Sequence, residues 1–228
     1  SAARIYEEIV NYAEKEFGID HPDTASALNN LAYLYSQQGL LDKAEPLYQR
    51  SLAIREKALG PKHPRTAASL NNLAGLYESQ GLYKKAELFH IRALSIKENT
   101  LGPEHLDTAL SLHVLAALYR KQGLYEKAEP LYIKSLAIRE IALGSEDLTT
   151  AISLNELALL YDSQGLYRKA EHLYKRALSI AEKALGPEHP DTASCLNNLA
   201  VLYYAQALYE KAEPLYLRAL AITEKALG

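Results

Sequence analysis

The chain has 228 residues, with 25 basic against 28 acidic side chains and a net charge of −3, so it lacks the basic excess that a nucleic-acid or anionic-membrane surface requires. Its one cysteine, Cys195, excludes a disulfide framework and a thiolate metal site and fits a reducing compartment, with the cytoplasm as the default. No apolar run approaches the roughly 18–20 residues of a membrane span, and the start, Ser1-Ala2-Ala3-Arg4, lacks a signal-peptide core.

A block of 42 residues recurs along the chain, closed by Gly18, Gly60, Gly102, Gly144, Gly186 and Gly228. Leu28, Leu70, Leu112, Leu154 and Leu196 share one column, and Tyr35, Tyr77, Tyr119, Tyr161 and Tyr203 a second. Ala44, Ala86, Ala128, Ala170 and Ala212 share a third. Self-similarity at this period means stacked units, none of which buries its apolar face alone. Such an array is read as one unit over 1–228, with repeats at 19–60, 61–102, 103–144, 145–186 and 187–228.

In chain order, residues 1–18 hold an orphan helix B of a preceding repeat, because Ala2, Tyr6 and Val10 fall in the columns of Ala44, Tyr48 and Leu52. In the first full block, Leu28, Leu31, Ala32 and Tyr35 lie at i, i+3, i+4 and i+7, one face of a helix A. After a break at Gly39, Ala44, Leu47, Tyr48, Ser51 and Leu52 predict a helix B running to about Leu59. Glycine at 39, 81, 123 and 165 suits the left-handed turn between them. Ala207 departs from that column and either is tolerated there or carries up to about 1 kcal/mol of strain. Pro46, Pro130 and Pro214 fall inside the first turns of helix B, where each removes one backbone hydrogen bond. The chain holds no methionine and ends directly after an ordinary helix B. It therefore reads as a processed or excised segment whose array continues or stacks its ends on neighbours.

The connection from B to the next A reads Gly-Pro-Glu-His-Pro-Asp-Thr at 186–192, with close copies at 60–66 and 102–108. Pro22, Pro64 and Pro190 suit the first helical position. His21, His63, His105 and His189 precede helix A, and Asp147 takes their place in the fourth block. Aspartate is a strong N-cap acceptor, so the histidines are read as caps accepting through a ring nitrogen. Lying one block apart on separate loops, they do not converge as metal ligands would.

The pattern Leu-Asn-Asn-Leu-Ala-x-Leu-Tyr, followed by Gln-Gly-Leu-Tyr-x-Lys-Ala-Glu-x-Leu-Tyr-x-Arg-Ala-Leu-x-Ile, resembles a tetratricopeptide repeat, in the 42-residue variant similar to that of kinesin light chains. The resemblance covers the whole chain. It implies an all-α, right-handed α-solenoid, a superhelix of antiparallel helix pairs with about eleven helices. A helices would line a concave groove that binds extended or helical peptides, with B helices outside.

On that architecture the non-core columns of helix A face the groove: Ser26, Asn29, Asn30, Tyr33, Ser36, Gln37 and their equivalents. Tyr33, Gly75, Ala117, Leu159 and Val201 share a column yet differ in size, and Ser36, Glu78, Arg120, Asp162 and Tyr204 differ in chemistry. Variation among blocks suits a surface reading a non-repeating ligand, and equally an unconstrained solvent face. Asn29, Asn71, Asn155 and Asn197 recur in one column and Asn30, Asn72 and Asn198 in the next. Asparagine is a mediocre helix former, so its recurrence in mid-helix requires a reason. Its amide offers donor and acceptor together to a peptide backbone. The resemblance implies that role for Asn30, Asn72 and Asn198, against the alternative of a structural ladder between neighbouring A helices. His113-Val114 and Asn155-Glu156 replace the Asn-Asn pair in two blocks, leaving Val114, Leu110 and Ile152 as apolar groove surface. Arg120 and Lys121 form a local basic spot for an acidic ligand residue.

No nucleophile, phosphate-loop or metalloprotease motif is present, so neither enzyme activity nor a cofactor is expected. Cys195 and His90 are read as packing residues. The resulting expectation is a non-catalytic adaptor or scaffold whose partner is a protein or peptide in the groove, without nucleic acid or membrane. The alternatives are a structural spacer that self-associates end to end, and a sensor arm of a larger multidomain ATPase.

Overall fold

The computed structural model describes residues 2–227, so the block-ending glycine expected at 228 lies outside it. Among the described residues there are eleven α-helices and no strands. The A helices, each of 16 residues, are α2 (Pro22–Gln37), α4 (Pro64–Ser79), α6 (Leu106–Lys121), α8 (Leu148–Ser163) and α10 (Pro190–Ala205). The B helices are α1 (Ala2–Phe17), α3 (Leu41–Leu59), α5 (Tyr83–Leu101), α7 (Tyr125–Leu143), α9 (Tyr167–Leu185) and α11 (Tyr209–Leu227). The fold is the all-α solenoid of antiparallel helix pairs, and Pro46, Pro130 and Pro214 each sit inside a helix assigned without interruption.

The chain divides into two compact units, Ser1–Leu118 and Tyr119–Gly228, with the division inside α6. In the first, α1 packs on α2, α2 on α3, α3 on α4 and α4 on α5; in the second, α7 packs on α8, α8 on α9, α9 on α10 and α10 on α11. Each pair closes on a small residue. Ala44, Ala86 and Ala170 on the B helices are fully buried, as are Leu28, Leu70 and Leu154 on the A helices they pack against. An added methylene there has no space to enter.

The inter-block loop is held by two side chains of its own sequence. His21, His63, His105 and His189 accept the amide N–H two residues on through Nδ1, at 3.2, 3.1, 3.0 and 3.1 Å. Asp147 does the same through Oδ1 at 2.7 Å, so these residues are N-caps as predicted. The threonine three residues after each cap is buried and donates to the carbonyl of the glycine ending the preceding helix B, as Thr66 does to Gly60 at 2.9 Å and Thr150 to Gly144 at 3.0 Å. In the A–B turn, Gly39 and Gly165 have φ of 75° and 72°, and Ala207 takes the same left-handed conformation at 58°.

A further connection runs from helix B to the following helix A. Arg55, 7% exposed, donates from Nη1 to Ser69 Oγ at 2.8 Å and Arg65 O at 3.1 Å, and from Nη2 to Ser26 Oγ at 3.2 Å. Lys97 donates to Asp107 O at 3.2 Å, and Arg139, 5% exposed, donates to Ser153 Oγ. The aliphatic stems cross the core while each cationic head finds oxygen acceptors.

Candidate functional site

In the first unit, α2 presents Asn30 and Tyr33 to solvent, the latter 58% exposed, with Asn29 half-buried beside them. Asn72 on α4 donates from Nδ2 to Asn29 Oδ1 at 2.8 Å, which ties one asparagine column to the next across neighbouring A helices. Asn71 is half-buried, with Oδ1 3.0 Å from Nδ1 of His90, whose Nε2 lies 2.9 Å from Glu78 Oε1. His90, buried in the helix-B tyrosine column, thus fixes two A-helix side chains at once. On α6, Leu110 is exposed, whereas His113 and Val114 are half-buried.

In the second unit the replacement at Glu156 has a partner. Arg120 Nη2 lies 3.3 Å from Glu156 Oε2, and the Tyr132 hydroxyl donates to the same oxygen at 3.4 Å. Burial opposes the charge on Arg120, but the Tyr132 contact and the Glu156 carboxylate more than offset it and raise its pKa. Arg120 is therefore already paired within the protein, and Lys121 beside it is exposed. On α10, Asn197 is exposed and Asn198 half-buried, and both line an open hollow of about 630 Å³ with Ser194 and Tyr216. Tyr204, 60% exposed, meets Tyr209 edge to face at 5.3 Å and lines an apolar hollow of about 360 Å³.

Sequence reasoning missed one feature of this face. A cavity of about 320 Å³ lies between α8, α9 and α10, with Ile152 and Asn155 on one wall and Ala181, Asp191 and Cys195 on the others. Asn155 donates to Cys195 Sγ at 3.4 Å, while its Oδ1 is buried without a hydrogen-bond partner. The signal that points to it is the column Arg55, Lys97, Arg139, Ala181, in which the cation is replaced by alanine.

Among the described residues no three His, Cys, Asp or Glu side chains converge as metal ligands, and no helix is long and apolar enough to cross a membrane.

The family model of the tetratricopeptide repeat matches residues 1–57, 23–99, 89–141, 107–183 and 149–225. Among solved structures, BtubC (BKLC) from P. vanneervenii is 28% identical with a TM-score of 0.82, over 100% of this chain and 90% of that one. A putative kinesin light chain from Podosopora anserina with nearly identical TPR-like repeats is 30% identical with a TM-score of 0.78, over 90% of this chain and 98% of that one. YrrB, described as a TPR protein with an unusual peptide-binding site, shares the fold at 19% identity and a TM-score of 0.53, over 93% of this chain and 90% of that one. A search of curated proteins finds no match.

Proposed function

The chain belongs to the tetratricopeptide repeat family, a family of protein-interaction scaffolds, and on that premise we propose that it is a non-catalytic scaffold binding a peptide segment of a partner protein on its A-helix face. The observation that carries this reading is the division of each A helix into two kinds of column. Buried columns repeat from block to block, as Leu28, Leu70 and Leu154 do. Exposed columns change and include large apolar side chains, Tyr33, Leu110, Ile152, Val201 and Tyr204 among them. Asn30 is exposed, and among the described residues none hydrogen-bonds its amide, which suits it to a peptide backbone.

The test is selection from an unbiased peptide library on the protein and on an Asn30→Ala, Asn198→Ala variant with unchanged helicity. Peptides enriched on the parent and lost on the variant are the expected outcome, and failure to enrich any peptide on the parent overturns the reading. A second reading, self-association, is favoured by Tyr209, Leu217 and Leu220, each more than half exposed on α11. Sedimentation at rising concentration decides it, since a constant monomer mass removes this reading.

A further inference from the structure

The cavity at α8, α9 and α10 occupies the position that a cationic side chain fills elsewhere. The three acceptor residues around the Arg55 guanidinium are Ser26, Arg65 and Ser69. Two blocks closer to the C-terminus the same column holds Arg139, again on the serine that follows, Ser153. One block further on it holds Ala181, 2% exposed and too short to reach. The positions equivalent to Ser26, Arg65 and Ser69 are then Ile152, Asp191 and Cys195, and all three line the cavity.

The vacated space also keeps oxygen acceptors beside it. Asn155 Oδ1 is buried with no donor supplied by the protein, and a buried acceptor left in that state is costly. Asp191 brings a carboxylate where the second block has Arg65. Burial first, and after it the charges of Asp191 and Glu182, pushes the Cys195 thiol pKa up. Leu148, Ala151 and Leu185 provide apolar walls for a hydrocarbon stem. Ile152, 56% exposed, and exposed Ser194 place the opening on the A-helix face.

We propose that this cavity is a specificity slot for an arginine side chain supplied by the bound partner, its guanidinium donating to Asn155 Oδ1 and to the Asp191 carboxylate. The location of the slot rests on the peptide-binding reading, but guanidinium binding to it is testable without a peptide. A guanidinium fits better than an ammonium because its planar fork reaches two separate acceptors at once. The partner's arginine replaces in trans the side chain that Arg55 and Arg139 supply in cis.

The experiment is a nuclear magnetic resonance titration with N-acetyl-arginine N-methylamide, and in parallel with its neutral citrulline isostere, observing the Asn155 side-chain amide and the Cys195 backbone amide. Saturable shifts at both sites are expected, with the citrulline probe at least about tenfold weaker. Those shifts should be lost in Ala181→Arg, whose own side chain fills the slot; Ala181→Lys, which copies the residue at Lys97, gives the same readout should the arginine variant not fold. Absence of shifts at either site, an equal response to citrulline, or full binding by a folded variant overturns the slot. The peptide library separates the two ideas. Enriched peptides that need no arginine and bind Ala181→Arg equally well overturn the slot and leave the peptide-binding reading standing. Specific arginine-probe binding with no peptide enriched supports the slot and removes the peptide reading.

Discussion

The hydroxyl of Tyr161 on α8 donates to Glu129 Oε1 on α7 at 2.8 Å, and Lys169 stands 4.7 Å above the ring of the same tyrosine. The arrangement recurs one block later with Tyr203, Glu171 and Lys211, and in the first unit with Tyr77, Glu45 and Lys85. It accounts for the Lys-Ala-Glu run. The lysine covers its own block's tyrosine, the alanine admits the A–B contact, and the glutamate accepts from the next block's tyrosine. Two apolar helices are thus held in register by a polar bond at their edge.

These phenols make the fold sensitive to alkali. Burial first, then the Glu129 hydrogen bond and charge, pushes Tyr161 up to about 12 from the ordinary 10.0; burial takes Tyr132 and Tyr48 to about 12 as well. Above pH 10 the unfolded chain releases phenolic protons that the folded chain retains, so stability is intact below that value and falls as pH rises toward 12. Denaturant midpoints measured at neutral pH and at about pH 11 should show this loss. Tyr161→Phe should reduce the slope while costing about 0.5–1.5 kcal/mol at neutral pH.

Ala207 holds a left-handed φ that its column elsewhere assigns to glycine. Ala207→Gly should therefore stabilise the protein by about 1 kcal/mol, since the Cβ strain disappears and the turn is unchanged. Gly165→Ala should destabilise it by a similar amount. Thermal melts of the two variants, shifted in opposite directions, would check the pair.

The cap at His105 supports an orphan amide of Asp107. His105→Ala should cost about 0.5–2 kcal/mol, whereas His105→Asp, copying Asp147, should hold or raise stability because a carboxylate also suits a helix N-terminus. Equal losses in both variants, measured by urea unfolding, would refute the capping role.

The two asparagine columns should separate by experiment. Asn72→Ala removes the bond to Asn29 and should cost about 0.5–1.5 kcal/mol. Asn30→Ala removes no such bond, so its stability should stay within about 0.5 kcal/mol while peptide affinity falls.

Part of the candidate site was legible in the residues and part was not. The exposure of Tyr33 and Tyr204 follows from their columns on helix A, because a 3.6-residue period assigns each position a side. The pairing of Arg120 with Glu156, and of Asn71 with His90, was not legible. Each joins residues on different helices whose separation depends on how those helices cross.

The sequence by itself determined the period, the helix pairs, the left-handed turns and the caps, since each of these is set by burial patterning and backbone chemistry within a few residues. Only the tertiary structure decided which partner each polar side chain meets, and that Ala181 leaves open the space that Arg55 and Arg139 fill. A column in a repeat fixes the direction in which a side chain points. What it reaches is decided by the spacing of packed helices, and that spacing exists only once they have folded against one another.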